Sequence, residues 1–150
     1  MYKDPVSYRI KTLNSLVKRL ADHCFGHKPD RATMMHRWII AYLQDREDKG
    51  LDTFQKDIEV EFSINRSTTS EMLKLMCKKD MIQRVAVSHD ARLKKIILTD
   101  KSREINEKVE QSMKKMNETL VQGLSQEEVQ EFMRLCDKLM DNIKKGVDQD

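Results

Sequence analysis

The chain has 150 residues, 39% hydrophobic and 35% charged, with a formal net charge of +3. That length suffices for one domain with its own core, and only four Gly and two Pro point to a largely helical chain. No apolar run reaches the roughly 18 residues of a membrane span, Met1 to Pro5 lack the apolar core of a secretory signal, and three widely spaced cysteines do not make a secreted disulfide framework, so a cytoplasmic protein with reduced thiols is expected.

Ile10, Leu13, Leu16, Val17, Leu20 and Cys24 recur at three- and four-residue steps. This predicts an amphipathic helix that begins after Pro5 and ends near Gly26 and Pro29. A second helix is expected from Asp30 or Thr33, either of which can cap it, with Met35, Trp38, Ile39, Tyr42 and Leu43 on its apolar side. Thr53 reads as the cap of a short third helix carrying Phe54, Ile58 and Phe62. After the tight Ser63-Ile64 connection, Asn65 caps a fourth helix from Arg66 to about Lys79, with Met72, Leu73, Leu75 and Met76 as its buried face. The spacing then changes to that of strands. Ile82 to Val87 and Lys95 to Leu98 form a hairpin around a Ser88-His89-Asp90-Ala91 turn. A long helix runs from Thr99 to about Gln122, with a stripe of Ile105, Val109, Met113, Met116 and Leu120. Ser125 to Glu128 make a capping box for a last, strongly amphipathic helix, and a frayed tail is expected from Gly146 to Asp150.

The charge is unevenly spread. Ten basic and four acidic residues lie between Ser63 and Arg103, so the middle of the chain is basic and the remainder mildly acidic. Such a segment suits a polyanion. Two short helices joined by a tight turn make a helix-turn-helix, whose second helix enters the DNA major groove by its N-terminal residues. Here those residues are Asn65, Arg66, Ser67, Thr68, Thr69 and Ser70. Hydroxyls and helix-start N–H groups hold phosphates. Arg66 can bond guanine, and Asn65 adenine if its capping role leaves it free. Capping alone accounts for Asn65 and Ser67, but not for a hydroxyl-rich helix start followed by a basic hairpin. At that hairpin stand His89, Asp90, Arg92, Lys94 and Lys95. Arg92 suits the negative potential of a minor groove, and Asp90 is expected to pair with its guanidinium. Lys74, Lys79, Lys94 and Lys95 are the expected phosphate holders.

The run Asp90-Ala91-Arg92-Leu93-Lys94-Lys95-Ile96-Ile97-Leu98-Thr99 resembles the wing signature of the MarR family of bacterial regulators. Asn65 to Ser70 is similar to the start of that family's recognition helix, and Lys79 to Arg84 to its helix exit into the wing. The resemblance extends through the element order of nearly the whole chain. Asp80 and Ser102 stand where the family often has Gly. It implies a mainly α fold: a winged helix-turn-helix with a two-stranded β wing and a helical dimerisation region formed by the N- and C-terminal helices. The DNA-binding part would occupy about residues 33–99 of a single 1–150 domain, and the dimerisation helices about 5–26 and 99–146. It further implies a homodimer on a palindromic double-stranded operator. Repression is the usual role in the family, and many members are released by a small aromatic or anionic effector.

For sensing, Trp38 and Tyr42 are the candidate lining of an effector pocket, with core packing as their competing role. Cys24 is the redox candidate, although its place on an apolar face suggests a buried, inert thiol. Cys77 and Cys136 fit core positions. His23, Cys24 and His27 lack the further ligands a zinc site needs, so no metal and no cofactor are expected. His36 and His89 are expected at the surface or close to DNA. No phosphate-cradling Gly loop, nucleophile elbow or paired catalytic carboxylates occur, so no enzymatic activity is expected. The alternative to a DNA-binding regulator is a winged-helix module whose basic face meets an acidic protein.

Overall fold

The computed structural model describes residues 5–26 and 33–147. In chain order these form α1 (Val6–Phe25), α2 (Met34–Asp48), α3 (Gln55–Glu61), α4 (Arg66–Lys78), β1 (Ile82–Val87), β2 (Asp90–Leu98), α5 (Asp100–Val121) and α6 (Gln126–Val147). The chain divides into two compact units, one ending at Met113 and one beginning at Lys114.

In the first unit, α1 starts where expected, with Pro5 as the residue before its first turn. The Pro5 carbonyl accepts the N–H groups of Tyr8 and Arg9, donors that a helix start otherwise leaves open. Thr33 caps α2. Its hydroxyl accepts the His36 N–H at 3.3 Å, and His36 Nδ1 accepts the Thr33 N–H at 3.3 Å. His36 is therefore buried, not at the surface as its polarity suggested. Asp30, the other cap considered, lies outside the described residues, as does His27.

Ile39, Ile40 and Leu43 of α2, Ile58 of α3, Leu73 and Met76 of α4, and Ile82, Ile96 and Leu98 of the hairpin form one buried core. Helical spacing on the helices and alternation on the strands put one face of each element into it. Leu75, expected in the buried face of α4, is 41% exposed; it falls off the arc defined by Leu73 and Met76.

β1 and β2 pair antiparallel, with Ile82 opposite Leu98 and Arg84 opposite Ile96. The turn contains only Ser88 and His89, because Asp90 already pairs with Val87. The ladder shifts register between Ala86 and Val87.

Two expectations for helix starts meet different outcomes. Thr53 does not cap α3. Phe54 holds that position, and its N–H is taken by the Asp57 carboxylate at 2.8 Å. Thr99 does cap α5, accepting the Ser102 N–H at 3.1 Å while its hydroxyl donates to the Asp80 carbonyl at 2.7 Å. Asp80 adopts φ +57°, as does Ser63 with φ +51°; Asp tolerates this left-handed region better than most side chains.

The second unit holds the end of α5 and all of α6. Ser125 and Glu128 complete the predicted capping box, the Ser125 hydroxyl accepting the Glu128 N–H at 3.1 Å and the Glu128 carboxylate the Ser125 N–H at 2.8 Å. α6 continues to Val147, so Gly146 is helical and not part of a frayed tail. Phe132, Met133, Leu139, Met140 and Ile143 stand exposed along it, as Val6, Ile10, Leu13 and Leu16 do along α1. Among the described residues no helix is long and apolar enough to cross a membrane.

Candidate nucleic-acid interface

The start of α4 is built by its cap. Asn65 Oδ1 accepts the Thr68 N–H at 2.8 Å and the Ser67 hydroxyl at 3.0 Å. The amide oxygen that could have met adenine is thus committed to the helix. Thr69 faces inward: it is fully buried, and its hydroxyl donates to the Asn65 carbonyl at 2.8 Å. It is a core residue of α4 and has no access to a groove, because position four of this helix turns onto the face shared with Leu73 and Met76. Arg66, Ser67 and Thr68 are exposed and Ser70 half-buried. Among the described residues, no protein group engages the Arg66 guanidinium or the Lys74 ammonium, which stands exposed further along α4.

At the hairpin tip, every residue from Ser88 to Lys94 is exposed. Asp90 was expected to hold the Arg92 guanidinium. Its carboxylate instead accepts the Arg92 backbone N–H at 2.8 Å, a two-residue loop that Asp forms readily. The guanidinium is left to solvent, with Lys94 and His89 nearby in sequence and equally exposed. Lys95 differs from them. Its ammonium meets Asp52 at 3.0 Å, so it ties the strand to the α2–α3 connection.

Lys79 also departs from its expected role. It lies at the C-terminal end of α4, opposite to the Arg66 end, and lines a cavity of about 790 Å³. Arg37, Lys78 and Lys101 line the same cavity, facing a single carboxylate, Asp80. Phe25, Ile40, Met81 and Ile105 supply its apolar wall, and Arg37 lies 4.0 Å above the Phe25 ring. Trp38 and Tyr42 are not among its lining residues: Trp38 is exposed, and Tyr42 packs edge-on against Phe62 with ring centroids 5.7 Å apart. Cys24 does line it, half-buried and not sequestered. Cys77 and Cys136 are likewise half-buried free thiols. Burial, then the positive charges of Lys79 and Arg37, hold the His36 imidazole below its ordinary range. Its Nδ1 serves as an acceptor, which requires the neutral form. Among the described residues, no group of three His, Cys, Asp or Glu side chains could hold a metal.

Sequence reasoning missed the residues at the base of the wing. Arg46 donates to the Thr53 hydroxyl at 2.8 Å and to the Asp52 carbonyl at 2.6 Å. The Thr53 carbonyl accepts the Ile96 N–H at 2.7 Å, and Glu47 accepts both the Leu98 N–H and the Arg103 guanidinium. No local pattern announces partners separated by 43 to 56 residues.

No family model matches the chain. Solved structures do. A crystal structure of an S. aureus MepR–DNA complex has a TM-score of 0.79 with 25% identity, covering 93% of this chain and 99% of that one. A mutant MarR from E. coli complexed with operator DNA gives 0.76 with 18% identity, covering 90% and 93%. The fold is that of a MarR-type winged helix. The PcaV transcriptional regulator from Streptomyces coelicolor, in complex with its natural ligand, shares this MarR-type architecture at a TM-score of 0.80, with 15% identity over 94% and 96% of the two chains. Within the MarR-type winged helix, α3 and α4 are the helix-turn-helix and β1–β2 the wing.

Proposed function

We propose that this chain is a DNA-binding transcription regulator, acting as a homodimeric repressor that leaves its operator when an anionic effector binds. One observation carries the reading. The exposed start of α4 and the exposed wing tip both offer cationic donors, Arg66 and Arg92, that no protein group engages among the described residues. Unpaired Arg side chains on a helix start and on a narrow hairpin suit a major-groove contact to base edges and a minor-groove contact, respectively. Ser67, Thr68 and Ser70 would hold backbone phosphates or base edges beside Arg66, with Lys74 and Lys94 on flanking phosphates. Residues 33–99 would then read DNA, and helices within 5–26 and 99–146 would dimerise. The exposed apolar rows of α1 and of α6 support that assignment, since patches of this kind usually mark association. Two-fold symmetry favours a palindromic site.

The cavity supports effector control. Lys78, Lys79 and Lys101 beside one carboxylate, with an apolar wall, suit an anion carrying an apolar body. The test is a titration of the pure protein with its own upstream intergenic DNA and with scrambled DNA of equal length, at about 0.15 M salt, where screening trims non-specific attraction. Preference for the native sequence at one dimer per site is the expected result. Equal, weak binding to both would favour a protein-interaction module and overturn the reading. Light scattering should give about twice the 17.7 kDa chain mass.

A further inference from the structure

The wing leaves its outer edge open. β1 covers one side of β2, so the N–H groups of Ile96 and Leu98 on the other side need acceptors. Ile96 finds the Thr53 carbonyl. Leu98 finds no backbone partner on that side; its N–H donates to Glu47 Oε1 at 3.0 Å. The other carboxylate oxygen, Oε2, accepts from Arg103 Nη2 at 2.8 Å. Arg103 in turn reaches Asp100 at 3.1 Å through Nη1. One side chain of α2 therefore ties together the last residue of β2 and the first turn of α5. Glu47 is only partly exposed, and both its oxygens are used, so it offers nothing to DNA.

We propose that Glu47 is a positioning residue for the wing: by gripping the strand at Leu98 and α5 at Arg103, it sets the direction in which the hairpin carries Arg92. The proposal rests on the DNA-binding reading above. Geometry favours it over a purely stabilising role. Among the described residues the sheet has two strands, and a two-stranded ribbon alone is pliant. The strand is held at two successive outward N–H groups, Ile96 by the Thr53 carbonyl and Leu98 by Glu47. These two points set the direction of the four residues from Ile96 to Arg92, a lever of about 13 Å at the usual strand rise. A small rotation at the base thus displaces the tip by much more than it displaces the core.

Two measurements test it in the full chain. The first is amide exchange without DNA. Glu47→Ala should speed exchange at Leu98 at least tenfold while leaving Leu73 and Met76 in α4 protected. Glu47→Gln retains a carbonyl acceptor and should restore most of the Leu98 protection. Unchanged Leu98 exchange in Glu47→Ala would overturn the anchor. The second is operator titration with paired substitutions. Arg92→Ala should weaken binding about tenfold or more in the otherwise unaltered chain. In a Glu47→Ala background that cost should shrink below about threefold, because the tip is already misdirected, whereas Arg66→Ala should keep its full cost. A full Arg92 cost in the Glu47→Ala background would overturn the positioning role. If Glu47→Ala fails to fold, Arg103→Gln releases the α5 side of the link while Glu47 still accepts the Leu98 N–H, and the paired operator titration alone decides: a full Arg92 cost in the Arg103→Gln background would overturn the positioning role. Failure of the unaltered chain to prefer operator DNA would overturn the DNA reading instead, and the exchange result, obtained without DNA, keeps the two failures apart.

Discussion

The two ends of the wing are made differently. At its base, Ile96, Leu98 and Thr99 are buried; Asp52, Thr53 and Glu47 bind the strand at Lys95, Ile96 and Leu98, and Arg46 and Arg103 hold those three in turn. At its tip, Ser88 to Lys94 are all exposed, and among the described residues the one side-chain hydrogen bond there is that of the Asp90 carboxylate to the Arg92 N–H. The two ends of α4 show a related contrast: Arg66 to Thr68 point outward, while Lys78 and Lys79 belong to the cavity. The difference teaches that rigidity and recognition occupy separate stretches of one short element. Side chains that hold the fold are satisfied internally, and side chains left for a partner are not.

Substitutions at the two ends should therefore separate stability from binding. The largest effect is expected from Leu98→Ala at the base. Removing a buried leucine typically costs about 2–5 kcal/mol, so the melting temperature should fall and DNA affinity should be lost with the fold. Next comes Arg92→Ala at the tip, with an expected loss of about 1–3 kcal/mol in operator affinity and an unchanged melting temperature. A drop in melting temperature equal to that of Leu98→Ala would break the comparison. A smaller effect is expected from Lys94→Ala, which should lower the slope of log affinity against log salt by about one, with sequence preference retained. The slightest effect concerns pH. His36 is held below its ordinary value of 6.5 by burial and by Lys79 and Arg37. The unfolded chain therefore binds a proton more readily than the folded one. The stability this group contributes is complete above about pH 6.5 and is lost as the pH falls toward the folded value. Thermal melts between about pH 7 and pH 5 should show that loss, and His36→Asn should flatten it.

Much of this architecture was legible in the residues. Helical spacing located all six described helices, and the Ile82–Val87 run located β1. The Asp90-to-Thr99 signature located the wing and the exposure of Arg92. What escaped was set by neighbours distant in sequence. Thr69 reads as one hydroxyl among several until the phase of α4 turns it onto Leu73 and Met76. Thr53 looks like a cap, yet its carbonyl is recruited by Ile96 and its hydroxyl by Arg46. Trp38 and Tyr42 were the expected pocket lining, but the cavity is lined by Arg37 and Ile40 of α2, the end of α4 and the first half of α5. Glu47 and Arg103, 56 residues apart, are unremarkable members of charged helix faces until tertiary structure joins them.

Ser63 and Asp80, both left-handed, follow the ends of α3 and α4. In each case the next residue's N–H returns to the preceding helix, from Ile64 to Glu59 and from Met81 to Met76, the bond that terminates a helix in the Schellman manner. α4 thus lies between two backward-closing stops. An added or deleted residue between them would rotate every following side chain by about 100°, and the stops leave no slack to absorb it. Substitutions on the outer face of α4 carry no such penalty. Descendants of this sequence can therefore vary the outer face of α4 residue by residue, but not by changing the length of the helix.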